Sequence, residues 1–177
     1  GSFNLWAPPG NYQLSVRPPN PLFYSCFPVE AKFSGLEDAK ADVGLRPVAY
    51  CALLVAEAST PLLRRCFPNT YYVYYANEGT ATASDVYVEV TLDSMFTYLS
   101  ASILPSDKQG ATLTFPIGDL PPGSSGHFWV RVEVSCRSAL GQIHCVKTRI
   151  LPQPTCPLSI SWKSSFSKYD SPKLLWA

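Results

Sequence analysis

The chain has 177 residues, with 14 basic and 13 acidic side chains and a formal net charge of +1. This balance argues against a nucleic-acid channel or a polybasic membrane patch, because both need a large excess of lysine and arginine. Seventeen prolines and a single methionine point away from a helical bundle, and no segment approaches the roughly 20 apolar residues of a membrane span. We therefore expect no nucleic-acid partner and no membrane span.

The first part of the chain carries short strand signals. In NYQLSVR, Tyr12, Leu14 and Val16 share one face because they alternate with polar residues. Two further short strand-like segments, VEAKF and KADVGLRPV, follow before residue 48. Three strands cannot close a sandwich by themselves, so we expect residues 1–48 to be a partial β-module or strands that belong to the next domain.

From Cys51 onward the strand signals are longer, and turn residues such as Asn77-Glu78-Gly79 separate them. Strands separated by turns every 8–12 residues or so indicate a sandwich or a barrel. We predict an all-β fold, an immunoglobulin-like antiparallel β-sandwich over residues 49–156, followed by an extra strand or a disordered tail over 157–177. The predicted strands are CALLVAEAS (51–59), NTYYVYYAN (69–77), DVYVEVTL (85–92), MFTYLSASI (95–103), TLTFPIG (112–118), HFWVRVEVS (127–135) and IHCVKTRI (143–150).

Alternation within these strands predicts which side chains face the core. In DVYVEVTL the valines point inward and Tyr87 points outward, and in HFWVRVEVS Trp129 and Arg131 point outward. Pro116 predicts that 112–118 is an edge or short strand. We expect 143–150 to form a hairpin with 127–135 through the RSALGQ loop.

Two stretches, YYANEGTATASDVYVEVTL and TFPIGDLPPGSSGHFWVRVEVS, combine an N-x-G turn, a V-x-V-x-L strand and a loop close to L-G-x-L-x-P-G. Asn77, Gly79, Val88 to Leu92 and residues 117–123 carry these motifs. Because of these motifs, the chain from about Cys51 to Pro154 resembles a repeat domain of unknown function, an immunoglobulin-like β-sandwich that recurs in large bacterial surface and secreted proteins. That family has no fixed catalytic or ligand residues to carry over.

The first 45 residues or so show a second resemblance. The segments from Gly10 to Val16 and from Asp42 to Pro47 follow "G-x-Y-x-L-x-V", with one extra residue in the spacing, and "D-x-G-L-x-P". These residues are similar to the end of a carboxypeptidase-regulatory or Cna-B-like module. The resemblance implies that the neighbouring domains of a larger chain are partners.

Six cysteines, none of them in a CxxC pair, predict three disulfides and an extracellular or cell-surface location. The alternative is that they are buried free thiols. One arrangement among many pairs Cys136 with Cys145 across the predicted hairpin and Cys51 with Cys66, which leaves Cys26 with Cys156.

The dipeptide His144-Cys145 raises the question of thiol catalysis. Thiol chemistry needs a base that contacts the sulfur, whereas adjacent residues of a strand point to opposite faces. We therefore name no catalytic residue, metal ligand or cofactor, and the sequence favours a protein that is not an enzyme.

Outward aromatic side chains are the binding candidates. Tyr72 or Tyr74, with Tyr87 and Trp129, are predicted to face solvent, and Arg131 lies beside them. Such side chains stack on sugar rings or on a partner protein. The alternative is that they pack against a neighbouring module or under a loop. Our candidate binding residues are Tyr74, Tyr87, Trp129 and Arg131.

Three functional hypotheses follow. The first is a non-catalytic structural or adhesive module that spaces or presents other domains of a secreted or cell-surface multidomain bacterial protein. The second is a carbohydrate- or protein-binding module that uses the exposed aromatics. The third is a hydrolase whose site is not recognisable in the sequence.

Overall fold

The structure is a computed structural model of the chain, and it divides into two compact units, Gly1–Ala49 and Tyr50–Ala177. All regular secondary structure among the described residues is β. Within these same residues, no helix has the length and apolar character that crossing a membrane would require. The structure describes residues 6, 8, 10–15, 18, 21–25, 30–35, 42–153, 156 and 173–176.

The first unit contains two antiparallel strand pairs. β1 (Gly10–Ser15) pairs with β3 (Glu30–Gly35), and β2 (Phe23–Ser25) pairs with β4 (Leu45–Pro47). The backbone N–H of Val48 donates to the carbonyl of the buried Leu22 at 2.7 Å, which extends the second pair. That residues 1–48 derive from a Cna-B-like module stays a prediction. Val16 and the Leu14 side chain lie outside the described part of the chain.

The second unit is an antiparallel β-sandwich, which confirms the predicted immunoglobulin-like fold class. One four-stranded sheet has the order β5-β7-β12-β9 and the other has the order β10-β11-β8-β14. A smaller sheet, β13-β15-β6, joins β15 antiparallel to β13 and parallel to β6. The strands are β5 (Leu54–Ser59), β6 (Leu63–Arg64), β7 (Pro68–Asn77), β8 (Ala83–Thr91), β9 (Phe96–Ala101), β10 (Asp107–Gln109), β11 (Thr112–Leu120), β12 (Ser125–Val134), β13 (Ile143–His144), β14 (Lys147–Leu151) and β15 (Lys173–Trp176).

The core lies between the two four-stranded sheets. β8 contributes Val86, Val88 and Val90, all buried, while the intervening Tyr87 is exposed, as the alternation predicts. Phe115 of β11 and Phe128 of β12 meet across the core with ring centroids 4.7 Å apart. Each such side chain stabilises the fold by about 1.5–3 kcal/mol when it is fully buried.

Asn77, at the end of β7, makes four side-chain hydrogen bonds although it is completely buried. Its Oδ1 accepts from the backbone N–H of Leu53 (3.2 Å) and of Gly79 (3.0 Å). Its Nδ2 donates to the carbonyls of Ala81 and Leu120, both at 2.8 Å. A buried amide needs such partners because an unpaired buried polar group is costly. The N-x-G turn is therefore tied directly to the loop after β11.

Gly79 permits this turn because it has no side chain. A Cβ at this position would collide with the carbonyl oxygen of Cys51 and the backbone nitrogen of Leu53. The loop on the other side of the network contains Gly123, whose φ of 72° lies in the left-handed region. Its N–H donates to the Asn77 carbonyl at 2.8 Å.

The predicted hairpin between 127–135 and 143–150 is wrong. The second segment splits into β13 and β14, and β14 pairs with β8 in the opposite sheet, for example Ile150 with Val88. The reason is that β12 is an inner strand: β7 and β9 occupy both of its edges. No edge of β12 remains for another strand, so the chain crosses to the other sheet between His144 and Lys147.

The edge assignment for 112–118 needs a correction as well. β11 runs over nine residues and lies between β10 and β8. β10 begins at Asp107, opposite Thr114, and does not reach Pro116, so Pro116 has a paired neighbour only on its β8 side, Tyr87. Because proline has no N–H to donate, it is tolerated where one side of a strand is open.

The proposed cysteine pairs are also wrong. The structure joins Cys51 to Cys156, with Cα atoms 5.0 Å apart, and Cys66 to Cys136, with Cα atoms 4.6 Å apart. Cys145 is a free, half-buried thiol, and Cys26 lies outside the described residues. The pairing of Cys136 with Cys145 depended on a hairpin that does not form.

The tail predicted over 157–177 is described only over Lys173–Trp176, which forms β15. Residues 157–172 and 177 lie outside the described part of the chain. The domain bounds 49–156 and 157–177 stay a prediction.

Replacing Asn77 by alanine should destabilise the sandwich by on the order of 4 kcal/mol, since four hydrogen bonds of about 1 kcal/mol each are lost. Urea unfolding measures this change. Thr82→Ala, at an exposed site in the same turn, is the matched control and should change the free energy of unfolding by less than about 0.5 kcal/mol. Equal stability of the two variants would contradict the role of the Asn77 amide.

Candidate functional site

Three of the four candidate binding residues lie on the outer face of the β5-β7-β12-β9 sheet. Tyr72 of β7 lies opposite Trp129 of β12, and Tyr74 lies opposite His127. Tyr72 is 50% exposed and Tyr74 is 44% exposed, while Trp129 is half-buried. Arg131 follows Trp129 on the same face and is exposed. We call Tyr72, Tyr74, His127, Trp129 and Arg131 the aromatic face.

The local backbone around Trp129 is held from the β9 side. Its N–H donates to Ser102 Oγ at 2.9 Å, and its carbonyl accepts from the Ser102 N–H at 3.0 Å. These bonds extend the pairing of β9 beyond Ala101 and fix the strand that carries Trp129 and Arg131. The aromatic face is thus built on two inner strands, β7 and β12, whose neighbours restrict their movement.

The fourth candidate, Tyr87, lies on the other sheet. It projects from β8 on the outer face of the β10-β11-β8-β14 sheet, and it is 38% exposed. The structure therefore does not bring Tyr87 together with Tyr74 and Trp129, since the two sheets and the core separate them. A shallow groove with a volume of about 470 Å³ passes beside it. We call its lining the polar groove: Tyr87, Glu89, Asp107, Gln109, Thr112 and Thr114.

The buried imidazole of His144 pairs with Asp93, not with Cys145. His144 Nδ1 lies 3.1 Å from Asp93 Oδ1, and the His144 ring centroid lies 5.3 Å from that of Phe96. Cys145 contributes only its backbone N–H, which donates to Asp93 Oδ2 at 3.4 Å. Asp93 sits in the turn between β8 and β9, so the pair ties this turn to β13. No sequence motif points to this contact, because the two residues are far apart along the chain.

Tyr71, whose ring lies beside that of Phe96, belongs to the same cluster as His144 and Asp93. The pKa values of Tyr71 and Asp93 both differ from the usual ones. Burial, helped by the charges of Asp93 and Cys145, raises the pKa of Tyr71 far above its usual value. Partial burial also raises the pKa of Asp93, but hydrogen bonds from the Met95 N–H, His144 and the Cys145 N–H outweigh it and leave the pKa lowered. The cluster thus stabilises an ionised Asp93. No three His, Cys, Asp or Glu side chains converge as metal ligands in the described parts of the chain.

Comparisons with known proteins give no family. No protein-family model and no curated protein matches the sequence. One similar solved structure is the sixth cohesin from Acetivibrio cellulolyticus scaffoldin B, in complex with a mutant Cel5 dockerin; it is 14% identical with a TM-score of 0.41, over 57% of this chain and 83% of that one. Another is AvmM, which catalyses macrocyclization in alchivemycin A biosynthesis; it is 11% identical with a TM-score of 0.37, over 62% and 78%. Similarity this low supports no functional argument, so function is inferred below from the chain itself.

Asp93→Asn should lower the free energy of unfolding at pH 7, and this deficit should shrink at acid pH. A carboxyl whose folded pKa is lowered contributes stability above its unfolded pKa of about 3.9, and this contribution is lost as pH falls through the folded pKa. Urea unfolding at pH 7, 5 and 3 measures the difference from the wild type. Glu133→Gln, which removes an exposed carboxyl, is the control. A deficit of equal size at all three pH values would contradict the role of the Asp93 charge.

Proposed function

We propose that the protein is a non-catalytic structural or adhesive module of a secreted or cell-surface multidomain bacterial protein, and that it presents other binding surfaces or domains. The observation that carries the proposal is the bond between Cys51 and Cys156. Cys51 precedes β5 and Cys156 follows β14, so this disulfide joins the two ends of the sandwich around both four-stranded sheets.

The disulfides support an extracellular setting as well as stability. A disulfide that closes a loop of about 100 residues stabilises a fold by about 4.7 kcal/mol when only chain entropy is counted. Such bonds persist in oxidising compartments and are rare where glutathione keeps thiols reduced. The second bond, Cys66–Cys136, closes a loop inside the first.

The same bond gives the module a mechanical property. β15 follows Cys156 along the chain and pairs with β6 and β13, so tension from the C-terminal side first detaches this four-residue strand. Tension then passes through the disulfide, because the covalent path is far shorter than the path through the strands, and the hydrogen bonds of the two four-stranded sheets carry none of the load. An adhesive protein that is pulled from outside the cell benefits from domains that do not unfold under tension.

Single-molecule stretching of the chain, held by its two ends, tests this role. With both disulfides intact, we expect no extension from residues between Cys51 and Cys156. In Cys51→Ser/Cys156→Ser, unfolding releases the 105-residue separation between the two sites except for the 70 residues that Cys66–Cys136 still closes. The remaining 35 residues correspond to an extension of about 13 nm at roughly 3.6 Å per residue. Reduction of both bonds in the wild type should release about 38 nm.

Cys66→Ser/Cys136→Ser is the matched control. It keeps the outer disulfide, so it should extend no further than the wild type. If oxidised wild-type protein released about 38 nm, the outer bond would not protect the sandwich, and the proposed mechanical role would be wrong.

A second candidate function is binding of a protein partner through the aromatic face. The observation that favours it is the direct cross-strand position of Tyr72 and Trp129, with Tyr74 and Arg131 beside them. Tyrosine, tryptophan and arginine are the side chains most enriched at binding hot spots. The face is also built on inner strands, so its side chains are held in fixed positions relative to one another.

Trp129→Ala should weaken protein binding through this face at least tenfold. An array of extracellular-protein fragments and glycans, probed with the full chain, identifies a ligand and then compares the variant with the wild type. Tyr87→Ala, on the opposite sheet, is the matched control and should leave protein binding unchanged. Protein binding that survives Trp129→Ala, or an array without any bound protein, would contradict this second function.

A further inference from the structure

We propose that the polar groove binds a neutral glycan chain. This inference rests on the proposed role as an extracellular module, and it adds a binding site on the sheet opposite the aromatic face. The groove is a shallow depression with a volume of about 470 Å³, and its lining combines one exposed aromatic ring with carboxylate, amide and hydroxyl side chains. Ligand sites in proteins are concave and combine apolar surface with a few placed polar groups.

Strand register arranges the outer face of this sheet in three rows. The first row is apolar, with Tyr87 between Leu151 and Pro116, and the next two rows are polar. Rows two residues apart along a strand are separated by about 7 Å. The second row is Arg149, Glu89, Thr114 and Asp107, and the third is Lys147, Thr91, Thr112 and Gln109.

This order matches the two kinds of surface that a sugar offers. The C–H face of a pyranose ring is apolar and stacks on an aromatic ring such as that of Tyr87, which Leu151 and Pro116 flank as a small platform. The hydroxyls of the next sugar then reach the second row, where Glu89 and Asp107 accept hydrogen bonds and Thr114 both donates and accepts. A glycan lying along β8 would meet these rows in succession.

The polar side chains at the far side of the groove are already held in place. Gln109 Nε2 donates to Asp107 Oδ2 at 2.9 Å, and the hydroxyl oxygens of Thr91 and Thr112 lie 2.9 Å apart. Groups that are fixed before binding lose less conformational entropy when a ligand arrives. The carboxylate of Asp107 and the Thr91–Thr112 pair keep further acceptor positions for hydroxyl groups.

Charge favours a neutral ligand. Two carboxylates, Glu89 and Asp107, line the groove and would repel an anionic polysaccharide. Two cations, Arg149 and Lys147, lie outside that lining in the same two rows and balance the charge of the sheet face, which leaves little attraction for a cationic polysaccharide. An extended peptide gains little here, because β8 is an inner strand and offers no free backbone edge for pairing.

An array of neutral and anionic oligosaccharides, probed with the full chain, tests the proposal. We expect the wild type to bind one or more neutral oligosaccharides, and Tyr87→Ala to weaken this binding at least tenfold. Gln109→Ala, at an exposed position of the short strand β10, should weaken glycan binding severalfold, because the Asp107 carboxylate loses the hydrogen bond that holds it in place. Glu133→Gln, at an exposed position of the opposite sheet that belongs to neither proposed site, is the matched control and should bind as the wild type does. Urea midpoints equal to that of the wild type confirm that each variant folds.

Three results would overturn the inference: no bound neutral oligosaccharide, binding of anionic oligosaccharides only, or neutral binding that neither Tyr87→Ala nor Gln109→Ala weakens. Loss of glycan binding in Trp129→Ala alone would place the site on the aromatic face and overturn the groove assignment. None of these results affects the stretching experiment, so failure of the glycan site and failure of the proposed mechanical role are distinguishable.

Discussion

The buried amide of Asn77 holds together three parts of the sandwich that are far apart along the chain. It binds the approach to β5 at Leu53, the turn that leads into β8 at Gly79 and Ala81, and the end of β11 at Leu120. These segments belong to both four-stranded sheets, so one side chain fixes the position of the sheets at this end. Because Asn77 is completely buried, water cannot replace a partner that is missing.

This network gives a physical meaning to the two motifs that first distinguished the sequence. The N-x-G turn and the loop over residues 117–123 contact each other: the Gly123 N–H donates to the Asn77 carbonyl, and the Asn77 N–H donates to the Ser124 carbonyl. Gly79 is required because the backbone near Cys51 leaves no room for a Cβ. The motifs therefore describe one folded corner, which explains why they predict architecture.

Alternation of side chains predicted the core well, because Val86, Val88 and Val90 follow the pleat of a single strand. It could not predict which strands become neighbours, since pairing depends on contacts that are distant in sequence. The hairpin assigned to 143–150 failed for this reason, and the pairing of Cys136 with Cys145 failed with it. β10 was missed because all three of its residues are exposed and carry no apolar pattern. For the candidate site, alternation found the outward side chains but could not show that Tyr87 and Trp129 belong to opposite sheets.

The outer disulfide also determines how much length this module contributes to a larger chain. The Cα atoms of Cys51 and Cys156 are 5.0 Å apart, little more than the 3.8 Å or so between consecutive residues. The polypeptide therefore approaches β5 and leaves β14 at almost the same point, and β15 then brings Lys173–Trp176 back to pair with β6 and β13. The residues from Cys51 to Cys156 add almost no length to a stretched chain while this disulfide is intact, however long the strands between them are.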